Sequence, residues 1–241
     1  MRINKVVTKL NSGNTPIGIT MKVPSTSLVE MLGTVGFDFV LFDAEHGPFT
    51  VDLIDDLCMV ADSVGLTPLA RVPDIQAATI LRFLDRGIMG IMGPHISSQA
   101  KAKQLADACR YVPEGHRSLG SGRGSYYGRN ESTAEYMAHT NSQILVIAQL
   151  EDVAVLDEID DILTVDGIDL FNSGAQDIAQ SFGLPGQPTH PEVQEFQKTV
   201  RDAVNRAGKQ MAEDATINIR IDDVILDAAE EAFSAAKLSA N

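Results

Sequence analysis

The chain has 241 residues, of which 44% are hydrophobic and 22% charged, a balance typical of a folded globular protein. Its formal net charge of −14 would repel phosphate backbones and anionic lipid, so we expect neither nucleic-acid nor membrane partners. The cysteines Cys58 and Cys109 form no CxxC or Cys/His cluster, so the sequence does not indicate a disulfide framework or a zinc knuckle. No apolar run is long enough to span a membrane and the N-terminus lacks an apolar leader, so we expect a cytoplasmic protein.

Strand and helix patterns alternate along the chain. Strand patterns occupy residues 16–23, 37–42, 67–73, 88–94, 144–150 and 167–171, with weaker ones at 209–214 and 216–221. Helical patterns occupy residues 28–35, 51–64, 75–84, 99–111, 153–162, 189–207 and 222–236. This alternation is typical of a parallel sheet covered by helices.

A glycine-rich stretch at residues 113–128 interrupts the alternation. Loops of this length in a compact domain are usually functional or disordered. The stretch lacks the Lys-Ser/Thr ending of a phosphate-binding loop, so it does not indicate a nucleotide site. One interpretation is a mobile lid that carries Arg117 or Arg123 to an anionic substrate, and the other is a merely flexible loop.

The most informative stretch is FDFVLFDAEHGP at residues 37–48. Its first half is a nearly continuous apolar run, typical of a strand buried on both faces of a parallel sheet. Asp43, Glu45 and His46 follow, and three ionisable side chains at the end of a buried strand are costly unless they face a cleft. The alternative is a polar strand-to-helix loop in which Thr50 caps the next helix.

Up to eight strands with intervening helices predict a single (β/α)8 TIM barrel over residues 1–241. The candidate functional residues support this, because each follows the end of a predicted strand and these ends meet at one face of a barrel. They are Asp43, His46, Arg71, His95, Glu151 and Asp177. An open doubly wound sheet would also gather strand ends, but its phosphate fingerprint is absent near the first strand.

Several segments together resemble the HpcH/HpaI family of metal-dependent, class II pyruvate aldolases. They are FDFVLFDAEHGP, PLARVP, the turn at 84–87, RYVPEGHRS, the AQLE that ends in Glu151, VDGIDLFNSGAQDIA and THPEVQ. The resemblance covers residues 15–208. It implies a carbon–carbon lyase that cleaves a 4-hydroxy-2-oxo acid into pyruvate and an aldehyde.

The resemblance also implies a metal and substrate site. Glu151 and Asp177 match the metal-ligating carboxylates of the family, which suit a divalent cation such as Mg²⁺, Mn²⁺ or Co²⁺. Gln149 matches a contact to the substrate or to a metal-bound water. The carboxylate of the 2-oxo acid would bind along the segment formed by Gly174, Ala175, Gln176 and Asp177.

The catalytic residues implied by the resemblance are Arg71, His46, Asp43 and Asp85. Arg71 would place a fixed positive charge at the developing enolate oxygen. His46 would be the base that removes the proton of the 4-hydroxyl, directly or through a water. Asp43 and Asp85 would orient that histidine, although Asp85 also fits a surface ion pair with a neighbouring arginine of its helix.

The chain departs from the family pattern in two regions. Asn172 and Ser173 replace bulky apolar residues, and Ala175 and Gln176 replace a proline and a small residue, which bears on substrate range. The segment after Lys209 is short for two strand–helix units and a final helix. We therefore expect the barrel to be abbreviated or irregular in its last quarter.

Two alternative functions remain open at this stage. One is decarboxylation or carbon–carbon bond formation on oxaloacetate-like β-keto acids, similar to macrophomate synthase. The other is a non-catalytic barrel that serves as a binding or assembly module. The family also implies a homo-oligomer, a hexamer or trimer of dimers that exchange C-terminal helices.

Overall fold

A seven-stranded parallel sheet forms the centre of the protein. The computed structural model describes residues 2–129 and 132–239. The strands are β1 (Ile17–Met21), β2 (Phe39–Asp43), β3 (Thr67–Arg71), β4 (Gly90–Gly93), β5 (Leu145–Gln149), β6 (Leu170–Asn172) and β7 (Ile217–Arg220). Their order is β6-β5-β4-β3-β2-β1-β7, and every neighbouring pair is parallel. All strand carboxyl ends therefore lie at one edge.

Helices connect successive strands. They are α1 (Lys5–Asn11), α2 (Thr26–Val35), α3 (Val51–Ser63), α4 (Ala77–Asp85), α5 (Gln99–Cys109), α6 (Thr133–Gln143), α7 (Val155–Leu163), α8 (Ala175–Ser181), α9 (Pro191–Arg206), α10 (Ala212–Ala215) and α11 (Ile221–Ser239). Ser25, Thr50 and Ser98 accept hydrogen bonds from first-turn N–H groups of α2, α3 and α5, which explains where these helices begin. Thr50 thus caps α3 as its sequence position indicated.

The two faces of the sheet bury different clusters. On one face the sheet packs against the helices, and this cluster includes both cysteines. Their burial raises the pKa of the Cys58 and Cys109 thiols to about 12. The other face joins alternate residues of β2 to β6 in a second cluster with Val6 of α1 and Ala212 of α10. One cluster can connect these elements because the sheet curls around it.

The last quarter does not complete a (β/α)8 barrel, and it is the region where the sequence predicted an abbreviated or irregular barrel. Residues 209–214 were expected to form a strand, but only Met211 forms a β-bridge, with Phe171 of β6, and α10 begins at the next residue. The adjacent Phe171 N–H donates to the Gln210 carbonyl at 3.0 Å. Within the described residues the fold is α/β with seven parallel strands. The helical turn of α10 uses residues that the seventh strand of a full eight-stranded barrel would need.

Besides α10, two helices, α1 and α6, were not predicted from the sequence. Asn4 and Ser132 precede them as capping residues, and Glu135 stands in the first turn of α6. Both caps fit the usual N-terminal signals, but the helices are short, and α6 carries little apolar periodicity. No helix of the described part of the chain has the length and apolar character to cross a membrane.

Asn4 anchors α1 beneath the curled sheet. Its side chain accepts from the Val6 and Val7 N–H groups at 2.9 and 3.2 Å and donates to the Met89 and Gln143 carbonyls, both at 2.9 Å. The residue is completely buried. It joins the helix start to the segments that precede β4 and β5.

Substitution Asn4→Ala should lower the free energy of unfolding by about 2–4 kcal/mol, because it removes the cap and leaves buried carbonyls unpaired. Urea unfolding of the variant would measure this loss. The exposed Asn14→Ala is the matched control, with an expected change within about 0.5 kcal/mol. Equal stability of the two variants would contradict the anchoring role.

Candidate active site

Asp43 and Arg71 form the central ion pair at the carboxyl edge of the sheet. They are direct partners in the register between β2 and β3. Arg71 Nε donates to Asp43 Oδ1 at 3.0 Å, and Nη2 donates to Oδ2 at 2.8 Å. Burial alone would raise the pKa of Asp43, but the two hydrogen bonds and the charge of Arg71 outweigh it and hold that pKa below its usual value. Asp43 is therefore a carboxylate, and Arg71 is fixed in orientation.

Glu45 and His95 extend this pair toward β5. Arg71 Nη1 lies 3.1 Å from Glu45 Oε2, and Glu45 Oε1 lies 3.2 Å from His95 Nε2. His95 Nδ1 is 3.1 Å from Glu151 Oε1, and the His95 backbone N–H donates to the same oxygen at 3.0 Å. The sequence Asp43–Arg71–Glu45–His95–Glu151 is thus a continuous line of alternating charged and polar groups across four strand ends.

Glu151 is the most buried carboxylate on the β5 side. Burial raises the pKa of Glu151, and the charge of Asp177 adds to the increase, against hydrogen bonds from Gln149 and the His95 backbone. Gln149 donates a side-chain N–H to Glu151 Oε2. Gln149 Oε1 is buried and forms no hydrogen bond with a described residue. An acidic pocket with an unused acceptor oxygen is suited to a cation.

Gly174 brings the second carboxylate close to Glu151. A Cβ at this position would lie 2.5 Å from Glu151 Oε2, 3.1 Å from Gln149 Nε2 and 3.6 Å from Asp177 Oδ2. The space beside Gly174 is therefore bordered by the two carboxylates that the resemblance implies as metal ligands. Because hard divalent cations bind oxygen ligands, these donors fit a divalent metal ion. The donors of Glu45, His95 and Glu151, whose ligand atoms lie within 4.8 Å of one another, also fit one.

The segment expected to bind the substrate carboxylate begins α8. Gly174 is its N-cap residue, and Ala175, Gln176 and Asp177 form the first turn. Gly174 provides no side-chain cap, so first-turn N–H groups of α8 remain available at the same edge as Glu151. The geometry therefore brings Gln149, Glu151 and this turn together, as the sequence positions predicted.

His46 lies at the rim of the cluster. Its backbone N–H donates to Asp43 Oδ1 at 3.2 Å, and its side chain is exposed in the turn after β2. The structure places this ring at the correct edge of the sheet. Its role as the base remains a prediction.

Asp85 lies apart from the cluster. It ends α4 before β4 begins, at the amino edge of the sheet, and its Oδ1 accepts from Arg117 Nη2 at 3.0 Å. Within one chain it does not orient His46, contrary to the expectation, because a helix that follows a parallel strand returns to the opposite edge. Asp85 does form an ion pair, as the alternative interpretation predicted, but its partner is Arg117 and not an arginine of its own helix.

The glycine-rich loop is also at the amino edge. Arg117 is buried over the Tyr111 ring, 4.6 Å from its centroid, and Arg123 forms an ion pair with Asp62. Residues Arg123–Gly128 form a short 3₁₀ segment packed near the end of α4. The loop therefore does not act as a lid over Glu151 of its own chain, and neither arginine reaches that pocket.

Glu45 and His95 are the site residues to which the sequence assigned no firm role. In the sequence, Glu45 is one of three ionisable residues after β2, and His95 is one of the candidate functional residues that follow a strand, without an assigned chemical step. The sequence feature that could have identified both residues is their position just after the end of a strand. What brings them together is the turn after β4, where His95 has a φ of 53°, and this conformation has no signature in the sequence.

Comparison with known proteins agrees with this geometry. The family model described as HpcH/HpaI aldolase/citrate lyase matches residues 19–237. A hydroxypyruvate/pyruvate aldolase of Roseobacter denitrificans is 33% identical over 226 residues, 91% of this chain and 87% of that protein. A 4-hydroxy-2-oxovalerate aldolase of Rhodococcus jostii is 32% identical over 208 residues, 86% of this chain and 80% of that protein.

A solved structure shows the same fold. The crystal structure of an HpcH/HpaI aldolase from Desulfitobacterium hafniense superposes with a TM-score of 0.84 at 26% identity and covers 95% of each chain. The sequence match and the fold agree with the resemblance that the motifs show. The chain belongs to the HpcH/HpaI aldolase/citrate lyase family.

Proposed function

We propose that this protein is a divalent-metal-dependent aldolase that cleaves a 4-hydroxy-2-oxo acid into pyruvate and an aldehyde. The observation that carries the proposal is the pocket beside Gly174, where Glu151, Gln149 and Asp177 converge next to the Asp43–Arg71 pair. The relatives named as pyruvate and 4-hydroxy-2-oxovalerate aldolases support this reaction class.

Some residues of the site bind the cation and the substrate, and others stabilise the negative charge that develops during the reaction. A divalent cation held by Glu151 and Asp177 would supply Lewis-acid polarisation of the 2-oxo group. The first turn of α8 receives the substrate carboxylate through backbone N–H groups. Arg71, held on two sides by Asp43 and Glu45, presents a preorganised positive charge to the oxygen on which negative charge develops.

Proton transfer completes the cleavage. His46 removes the proton of the 4-hydroxyl, and the electrons of the O–H bond form the aldehyde carbonyl as the C3–C4 bond breaks. The bonding pair remains on the pyruvate half as an enolate, which is then protonated at C3. The backbone N–H of His46 donates a hydrogen bond to Asp43, so the turn that carries His46 is held by the same carboxylate that orients Arg71.

The curled sheet is proposed to be a modified (β/α)8 barrel. The Phe171–Met211 bridge takes the place of a seventh strand, and β7 the place of the eighth. This interpretation agrees with the cavity of about 190 Å³ on the inner face, which is lined by residues of β2 to β7 and α10. The shortened strand leaves room that a full strand would fill.

Substitutions Glu151→Gln and Asp177→Asn should each lower metal-stimulated pyruvate release at least about a hundredfold, because each removes a charged ligand while keeping side-chain shape. The measurement is pyruvate release, coupled to lactate dehydrogenase, from a panel of 4-hydroxy-2-oxo acids and oxaloacetate with Mg²⁺, Mn²⁺, Co²⁺ or EDTA. Exposed Glu30→Gln is the matched control and should retain full activity.

Three results would contradict the proposal. They are release that persists in EDTA, release from oxaloacetate alone, and full activity in either ligand variant. Pyruvate release from oxaloacetate alone would instead indicate that the protein decarboxylates β-keto acids. Absence of turnover together with absence of metal binding would favour the non-catalytic alternative.

Substitution Arg71→Lys should lower kcat about 10²–10³-fold, because lysine keeps the charge but cannot make the two-point bond to Asp43. Steady-state kinetics would separate the effects on kcat and KM. Exposed Arg82→Lys on α4 serves as the matched control. An unchanged kcat in Arg71→Lys would mean that the guanidinium has only a structural role.

We also propose that the chain forms a homo-oligomer, a hexamer or trimer of dimers, through α11. This helix has 19 residues, and Val224, Leu226 and Phe233 are exposed on it. The neighbouring edge strand β7 also exposes Ile217 and Ile219. Exposed apolar surface of this extent is typical of a subunit interface.

Light scattering after gel filtration should therefore give a multiple of the 25.9 kDa chain mass. The double substitution Leu226→Asp and Phe233→Asp should shift the mass toward the monomer, because charges would be buried without partners in the interface. Exposed Asp227→Asn on the same helix is the control. A monomeric wild-type protein would refute the assembly.

A further inference from the structure

Lys22 lies at the carboxyl edge of the sheet, directly beyond the end of β1. Thr20 of β1 pairs in register with Leu41 of β2, which belongs to the second cluster on the inner face, so Thr20 faces inward. Because side chains alternate along a strand, Lys22 faces the same way. Its Nζ lies 3.9 Å from Asp43 Oδ2. Lys22 is therefore a neighbour of the Asp43–Arg71 pair.

A second cation, Arg220, ends the adjacent strand β7. Arg220 pairs in register with Thr20, and Asn218, two residues earlier on β7, lines the cavity on the inner face. The alternation of side chains thus turns Arg220 inward at the level of the strand ends. Neighbouring strands lie about 4.8 Å apart, so Lys22 and Arg220 can contact one and the same small group. We call these two residues the β1–β7 corner.

Both cations of the β1–β7 corner have unused hydrogen-bond donors. The 3.9 Å from Lys22 to Asp43 is too long for a hydrogen bond, and Asp43 already accepts two from Arg71. No described residue accepts a hydrogen bond from Lys22. Arg220 uses only Nε, 3.4 Å from Asp223 Oδ2 in the first turn of α11. Its two terminal nitrogens contact no carboxylate of the described residues and remain available to a ligand.

The cavity wall beside the β1–β7 corner is polar. Along β2 to β5 the cavity is lined by apolar side chains, whereas β6 and β7 contribute Asn172 and Asn218. Thr20 Oγ1 donates to Asn218 Oδ1 at 3.0 Å. Asn172 is the register partner of Gln149 and so lies at the level of the candidate metal pocket. This polar wall suits a hydrophilic substrate chain better than a hydrocarbon one.

The strand order places the corner at the far end of the substrate. In the proposed function, the oxo acid binds at Glu151 and at α8, and Arg71 of β3 contacts the reacting oxygen. Strands β1 and β7 lie on the other side of β3 from β5. A substrate that extends from Glu151 past Arg71 therefore brings its distal end to Lys22 and Arg220.

We propose that Lys22 and Arg220 bind an anionic group, a carboxylate or a phosphate, at the distal end of the aldehyde half of the substrate. The enzyme then prefers 4-hydroxy-2-oxo acids whose aldehyde product is anionic. The inference rests on the proposed function, since it concerns the same active site. Oxygens of both anions accept hydrogen bonds, and the ammonium and guanidinium groups only donate them.

The test compares charged and neutral aldehydes in the synthetic direction, in which C3 of pyruvate adds to the aldehyde carbon in the presence of Mn²⁺. Succinic semialdehyde is compared with its neutral isostere 4-methylpentanal, and glyceraldehyde 3-phosphate with glyceraldehyde. For the wild-type protein, kcat/KM should be at least about tenfold higher for the anionic member of one or both pairs.

Substitutions Lys22→Met and Arg220→Met remove the charge and keep the length of the side chain. Each should lower kcat/KM for the preferred anionic aldehyde about tenfold, mainly through KM, and change the value for its neutral counterpart less than about twofold. Turnover of the neutral aldehyde thereby also reports that the variants fold. The exposed Lys103→Met on α5 is the matched control and should behave as wild type.

The outcomes separate this inference from the proposed function. A preference that both variants abolish supports the inference, and the pair that shows it identifies the anion as carboxylate or phosphate. Equal turnover of anionic and neutral aldehydes by the wild-type protein, or a preference that survives both substitutions, would overturn the inference and leave the aldolase function standing. Absence of metal-dependent condensation with every aldehyde would refute both.

Discussion

The two-point bond between Asp43 and Arg71 is the interaction on which the candidate site depends. The two residues face each other at the ends of neighbouring parallel strands, and Asp43 is 1% exposed. A carboxylate at that depth is stable only because the guanidinium compensates its charge. Arg71 then positions Glu45, and Glu45 and His95 lead to Glu151. Four strand ends are thereby joined through side chains in addition to their backbone hydrogen bonds.

Much of this arrangement could be predicted from the sequence because parallel strands impose it. Once the strand ends were located, Asp43, Arg71 and Glu151 had to lie at one edge, and family motifs supplied their relation to Asp177. The same reasoning could have corrected the role predicted for Asp85 and decided against the lid interpretation of the glycine-rich loop. Asp85 and the glycine-rich loop both lie between a helix and the next strand, which places them at the amino edge.

Other features depend on torsions and packing that sequence patterns do not encode. The left-handed turn at His95 directs its ring between two carboxylates, and histidine is only one of several residues that tolerate this turn. The short α10 uses residues that the seventh strand of a full barrel would need, and because only Met211 and Ala212 are apolar among residues 209–214, the strand pattern there was weak. Local patterns could not distinguish a strand from one bridge followed by a helical turn.

The burial of the two cysteines has a practical consequence. Cys58 and Cys109 lie completely inside the helix-facing core, and thiols with a pKa of about 12 are almost entirely protonated at neutral pH. Alkylating reagents attack the thiolate, so the folded molecule is shielded from them both sterically and chemically. Labelling therefore occurs only when the core opens. The rate at which an alkylating reagent labels the two cysteines therefore measures how often the helix-facing core opens, and no engineered probe is required.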